Sequence, residues 1–307
     1  MEVDVQGRQL KLSNIDKVLY PAAGFSKGHV IDYYTRIAPV MLGHLRDRPL
    51  TRIRYPNGVD EKFFFEKNCP DHRPDWVEVA RIFTRGTGRW GGESRGPRDI
   101  DFCLANDLAT LIWLANLAAL EMHTSLATAG DYQRPTMVAF DLDPGPPATI
   151  VECCRVALLL RDMFGRLGLE CFPKTSGSKG MQVYLPLNTP ISYDETTPFS
   201  RAVAELLEQE HPGLVVSQQS KDLRAGKVLV DWSQNVDFKT TVCVYSLRAR
   251  ERPTVSTPLT WDEVEAARAP EDLRFEAADV LERVERHGDL YEPVLELEQR
   301  LPVGLGG

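Results

Sequence analysis

The sequence predicts an α+β fold with central, mostly antiparallel sheets flanked by helices. Strand-like alternation and helical apolar stripes mix along the chain without a regular strand–helix–strand rhythm. Strand-like runs are joined by short glycine turns, as in "LECFPKTSGSKGMQVYLPL". The 307 residues, 43% hydrophobic and 26% charged, can bury a real core, and no linker-like stretch interrupts them. One domain over 1–307 is therefore expected. Its N-terminal part runs over about 1–100, its core over about 101–260 and its acidic helical part over about 261–307.

Taken in order, "VDVQGRQLKLSN" alternates apolar and polar residues like a hairpin, with Gly7 in the turn. Ser26 can cap a helix through "KGHVIDYYTRIAPVMLGHL". "LTRIRYPNG" reads as a strand ending in a turn, and "NDLATLIWLANLAALEMHT" has a helical apolar stripe. Met137–Asp143 is a strand, and "ATIVECCRVALLLRDMFGRLG" is a helix closed by Gly168. A strand–turn–strand follows, then a helix through "TTPFSRAVAELLEQEHP" and a strand in "KVLVDWSQN". Two helical stretches and "GDLYEPVLELEQRLP" complete the chain.

The apolar segment Leu108 to Leu120 is too short to span a bilayer and predicts a buried helix. No charged-then-apolar opening with a small-residue cleavage site is present, so no signal peptide is expected. The six cysteines form no CxxC pair, and all are expected as small, reduced, buried residues of a cytoplasmic protein. Net charge is −8, but residues 261–300 hold 13 acidic and 5 basic side chains, which leaves residues 1–260 balanced at 31 each. Local patches therefore decide what binds. "RIFTRGTGRWGGESRGPR", residues 81–98, carries five arginines and one glutamate in a glycine-rich loop suited to phosphate contacts.

"VAFDLDPG" places two carboxylates at the end of an apolar strand. Strand residues i and i+2 share a face, so Asp141 and Asp143 project together. Two such charges are costly without a cation between them, and hard divalent ions want oxygen ligands. Asp231 ends the second apolar run, "KVLVD", and could complete a cluster of three, the composition of a two-metal phosphoryl-transfer site. "KTSGSKG" between them offers hydroxyls, glycine-exposed N–H groups and two lysines to phosphate, without Walker A spacing.

"FDLDPG", "KTSGSKG", "LRAGKVLVDWSQN" and "KTTVCVYSLR" resemble the polymerase domain of bacterial ATP-dependent ligase D, in the archaeo-eukaryotic primase superfamily. The resemblance runs from "LSNIDKVLYP" to "GDLYEPVLELEQRLP", nearly the whole chain. It implies a primase-polymerase core and a DNA-directed nucleotidyltransferase for non-homologous end joining. That enzyme adds ribo- or deoxyribonucleotides at gaps and broken ends with two divalent metals, Mn²⁺ or Mg²⁺. The implied metal-binding catalytic residues are Asp141, Asp143 and Asp231. Ser176, Ser178 and Lys179 would bind the triphosphate, together with His123, Arg224 and Arg248. Asn14, Lys17 and Lys27 would hold the DNA 5′-phosphate. Phe64 and Phe65 would meet the template strand and Arg54 the template or the triphosphate, while Phe63 is the candidate core member of that aromatic run. The loop 81–98 would align ends. Implied partners are gapped or 3′-overhanging DNA with a 5′-phosphate, NTP or dNTP, a Ku-like end-binding protein and a DNA ligase. The implied location is the bacterial cytoplasm, at the nucleoid. Many relatives read histidine where this chain has Gln182, which donates and accepts but cannot become cationic.

Three other readings are weighed beside this one. They are a stand-alone primase or excision-repair polymerase, a non-catalytic DNA-end-binding module, and a haloacid-dehalogenase-like phosphatase. The last expects DxDx[TV], where this chain reads Asp141-Leu142-Asp143-Pro144-Gly145.

Overall fold

The computed structural model describes residues 1–84, 96 and 98–302. These residues form two compact units, each assembled from segments distant in sequence.

One unit comprises Met1–Tyr132, Thr240–Val255 and Glu276–Gly288. Its opening hairpin pairs Glu2–Val5 with Arg8–Lys11 and turns at Gln6 and Gly7, with φ of 53° and 81°. Ser26 caps the helix Lys27–Leu45: its Oγ accepts from the His29 N–H, and His29 Nδ1 accepts from the Ser26 N–H. That helix buries Val30, Ile37 and Met41. The hydroxyls of Tyr33 and Tyr34 donate to the carbonyls of Tyr245 and Leu120. The unit's larger sheet runs in the order Thr241–Val242, Ala119–Thr124, Leu50–Arg54, Arg98–Cys103 and Val79–Thr84; Phe64–Glu66 also pairs with Leu50–Arg54. All its pairings are antiparallel.

Two expectations are corrected in this unit. The stripe expected as one helix splits into a helix, Leu108–Asn116, and a strand, Ala119–Thr124. Ala118 takes φ of 56° between them, and its carbonyl accepts from the Tyr55 N–H. An apolar run buried on every side carries no period that separates helix from strand. The six cysteines are not all free either. Cys69 and Cys103 form a disulfide with Cα atoms 5.1 Å apart. The Cys69 N–H donates to the Asp101 carbonyl, laying that segment along the Arg98–Cys103 strand, a pairing 34 residues distant that no sequence spacing marks. Cys153, Cys154, Cys171 and Cys243 are free and buried, as expected.

The other unit comprises Gln133–Lys239, Ser256–Phe275 and Asp289–Gly307. Its sheet runs in the order Phe172–Thr175, Met181–Pro186, Met137–Pro144, Val228–Asp231 and Val215–Val216, with only the last pair parallel. The helix Ile150–Arg166 starts in a Thr149–Glu152 capping box and ends before Gly168, whose φ is +71°. Phe164 on this helix lies against Phe140 of the sheet and Phe199 of the helix Tyr193–Glu210, centroids 5.6 and 6.3 Å apart. No helix among the described residues is long and apolar enough to cross a membrane.

Candidate active site

The strand Met137–Pro144 lies between two antiparallel neighbours. Asp141 faces Gln182 on one side and Asp231 on the other, while Asp143 faces Leu229. Cross-strand partners share a sheet face, as do i and i+2 along a strand. Asp141, Asp143 and Asp231 therefore share one face. Asp141 is half-buried, Asp143 exposed and Asp231 buried. Burial, reinforced by the charges of Asp143 and Asp231, pushes the Asp141 carboxyl up to about 7.

Asp231 has partners of its own. Its carboxylate accepts from the Ser233 N–H at 2.9 Å, the Ser233 hydroxyl at 2.6 Å and Gln234 Nε2 at 2.8 Å. Among the described residues, no three His, Cys, Asp or Glu side chains close into a metal cage by themselves. The donor chemistry still fits a hard divalent cation: oxygen ligands with charge the chain leaves unneutralised at Asp141. Mg²⁺-type ions keep water and substrate phosphate as ligands, so a complete protein cage is not required.

Two glycines bring other segments against this strand. A Cβ on Gly180 would lie 2.1 Å from the Leu142 carbonyl oxygen, and one on Gly145 would lie 2.0 Å from that of Arg224. Only glycine permits either approach. The "KTSGSKG" turn is thereby held beside the acidic pair. Ser176 Oγ accepts from the N–H groups of Ser178 and Gly180 at 3.2 and 3.3 Å, fixing the turn from within. Ser178 is half-buried and Lys179 exposed. Arg224 Nη2 donates to the Gln219 carbonyl and side-chain oxygens at 2.7 and 3.0 Å.

The unit that begins at Met1 carries the remaining candidates. His123 lies on a strand rather than at a helix end, and its Nε2 meets Glu121 Oε2 at 2.9 Å. Arg248 Nε lies 3.2 Å from the same oxygen, and the Ala249 N–H donates to Glu121 Oε1 at 3.0 Å. Burial raises the Glu121 carboxyl, but Arg248, His123 and Ala249 outweigh it and leave the carboxyl at about 2. Asn14 and Lys17 lie on a turn tied to the first residue of the helix Lys27–Leu45: the Lys17 N–H donates to the Asn14 carbonyl, and the Lys27 N–H to the Lys17 carbonyl. Lys27 is buried, with Nζ on the Ser13 carbonyl at 2.6 Å, while half-buried Lys17 donates from Nζ to Asn57 Oδ1. Burial, then Lys17 and Arg54, lower the Lys27 ammonium to about 8.

Phe64 is exposed beneath the Lys62 ammonium, and Phe65 is half-buried beside it on the same strand. Phe63, expected in the core, is 48% exposed and packs only on Tyr55 among the ring contacts described. Pairing by strand puts it outside the sheet, one residue before Phe64–Glu66. Arg54 donates to the Leu117 carbonyl and to Glu66. Most of the arginine-rich loop, residues 85–95 and 97, lies outside the described residues; of its ends, Arg81 pairs with Asp101.

A family model described as the LigD primase-polymerase domain matches residues 26–291. The chain belongs to that family. It is thus a nucleotidyltransferase domain with the α+β, largely antiparallel fold expected from its sequence. This chain is 43% identical over 288 residues to the multifunctional non-homologous end joining protein LigD of Mycolicibacterium smegmatis, covering 93% of this chain and 36% of that one. It is 31% identical over 281 residues to the bifunctional LigD of Bacillus subtilis, covering 91% and 43%. The chain thus spans under half the length of these curated relatives. Among solved structures it matches the polymerase domain from Mycobacterium tuberculosis ligase D in complex with DNA. That match has a TM-score of 0.83 and 39% identity, over 94% of this chain and 99% of that one.

Sequence reasoning passed over Glu121, although it stands in "LEMHT" beside His123. Read as a strand, that stretch puts Glu121 and His123 on one face; read as a helix, it does not. Lys174, expected at phosphate with Lys179, is instead buried with Nζ on Gln182 and Ser256, and Gln182 was a departure without a role. Both lie in the row that includes Asp141.

Proposed function

We propose that this domain fills gaps at broken DNA ends during non-homologous end joining, adding ribo- or deoxyribonucleotides to a primer 3′-end. The observation that carries the reading is the register that sets Asp141 opposite Asp231 beside a glycine-tightened phosphate-type turn. Asp141, Asp143 and Asp231 would hold divalent metal, Mn²⁺ or Mg²⁺. Two such ions, when bound, would lower the pKa of the 3′-hydroxyl and neutralise the leaving pyrophosphate. The 3′-oxygen bonds the α-phosphorus, the bond to the β-phosphate oxygen breaks, and the hydroxyl proton passes to water.

Lys179, exposed at the tip of its turn, would meet triphosphate oxygens along with Ser176 and Ser178. His123, Arg224 and Arg248 would also bind nucleotide. Asn14, Lys17 and Lys27 would grip the 5′-phosphate across the gap; the lowered Lys27 is poised to gain from a dianion. Phe64, Phe65 and Arg54 would meet the template. The two units would work as one primase-polymerase domain, in the bacterial cytoplasm with a Ku-like protein and a ligase.

Primer extension on a short gap with Mn²⁺ tests this, with and without the downstream 5′-phosphate. Extension stimulated by the phosphate is expected, and the combined Lys17→Ala and Lys27→Ala variant should lose that stimulation while still extending. Extension indifferent to the phosphate in the parent would favour general repair or priming, and no extension with either sugar would overturn the polymerase reading.

A further inference from the structure

Four side chains form one row across the sheet. Lys174 faces Gln182, Gln182 faces Asp141, and Asp141 faces Asp231, each pair in register. The row begins with an ammonium and ends with two carboxylates, and an amide stands between them.

The orientation of that amide follows from donor counting. Lys174 is 1% exposed, and its Nζ donates to Gln182 Oε1 at 2.6 Å and to Ser256 Oγ at 2.7 Å. An ammonium has donors only, so it must meet the oxygen end of the amide. Nε2 is then the end left for Asp141, which faces Gln182 across the strand pair and whose charged form the Gln182 side chain favours. Flipping the amide would set N–H against ammonium and oxygen against carboxylate. Ser256 cannot release the lysine cheaply either, since its hydroxyl proton is committed to the Thr175 carbonyl at 2.9 Å. Gln182 is 3% exposed, and its Oε1 is already engaged by Lys174.

We propose that Lys174 and Gln182 are a positioning pair: the buried ammonium sets the amide, and the amide sets the Asp141 carboxylate for nucleotidyl transfer. The inference rests on Asp141 acting in that reaction. A carboxylate at the end of a strand otherwise turns about two side-chain bonds, and fixing it before substrate arrives removes that motion from the reacting state.

The test compares Gln182→Met, Gln182→Glu, Lys174→Met and the Lys174→Met/Gln182→Met double variant with the parent and with Asp141→Ala. Gap extension gives kcat and KM for nucleotide, calorimetry gives Mn²⁺ binding to nucleotide-free protein, and melting reports folding. Gln182→Met should lower kcat about tenfold or more, hold KM within about threefold and weaken Mn²⁺ binding about threefold or more. Gln182→Glu fills the same space and still accepts from Lys174, yet it should be impaired at least as much, because it sets a carboxylate against Asp141. A packing role alone would leave Gln182→Glu near parent activity. The double variant should be no worse than the worse single one, as for residues acting through one another.

The pair is overturned by Gln182→Glu within about twofold of parent kcat, by unchanged Mn²⁺ binding in Gln182→Met, or by effects that multiply in the double variant. Should the lysine variants fail to fold, the two Gln182 variants decide alone. Asp141→Ala separates the two levels. If it still extends primers, the polymerase reading of Asp141 fails; if it is inactive while Gln182→Glu is active, only the positioning pair fails.

Discussion

Two carboxylates on two different sheets have opposite electrostatic fates. Glu121 is surrounded by Arg248, His123 and the Ala249 N–H, and its carboxyl is held at about 2. Asp141 stands with Asp143 and Asp231, and its carboxyl is pushed up to about 7. The chain supplies the countercharge in the first case and withholds most of it in the second. A carboxylate satisfied from within holds its neighbours in place; one left short of positive charge is a receptor for charge from outside. Strain of this kind costs stability and is kept where it serves the reaction.

The largest break in that comparison should come from removing the acids of the strained row. Asp141→Ala or Asp231→Ala should lower nucleotide incorporation about a thousandfold or more, with binding of DNA ends measured on the same protein nearly unchanged. Wild-type-like extension by either would remove the acids from the chemistry.

Glu121→Gln should be the costliest to folding. It leaves the Arg248 guanidinium, whose side chain is 13% exposed, without its ion pair and should destabilise by about 3 kcal/mol in urea unfolding. A loss below about 0.5 kcal/mol would mean that the pair is held by something else.

The smallest effect sharpens the contrast through pH. Above pH 3.8 the unfolded chain releases the Asp141 proton, while the folded protein keeps it until about 7. Metal-free stability should therefore fall as pH rises across that window, and Asp141→Asn should recover about 2 kcal/mol at pH 8 in the presence of chelator. Glu121 runs the other way: its contribution is full above its ordinary 4.5 and is lost as pH falls toward about 2. Equal urea midpoints at pH 5 and 8 in the parent, with no gain in Asp141→Asn, would contradict the assigned strain at Asp141.

Much of this was legible from local pattern. The opening hairpin, the Ser26 cap, the Gly168 stop and the apolar strand into Asp141 follow from turn chemistry, capping and alternation within a few residues. The shared face of Asp141 and Asp143 follows from the strand period. Less was legible where burial is complete. The stretch 119–124 is apolar enough to suit either period, and reading it as helix hid the Glu121–His123 pair. Phe63 was judged by hydrophobicity, yet the strand that orders Phe64 and Phe65 begins after it.

The sequence by itself determined most of the local elements, the family and the candidate acids, because these depend on residue type and short spacing. Only the tertiary structure decided the register of Asp141 against Asp231 and Gln182, the orientation of the Gln182 amide and the Cys69–Cys103 bond. It also decided which carboxylate received a cation from the chain. Register, amide direction and charge balance depend on groups tens of residues apart, and only packing brings their donors and acceptors within hydrogen-bond distance.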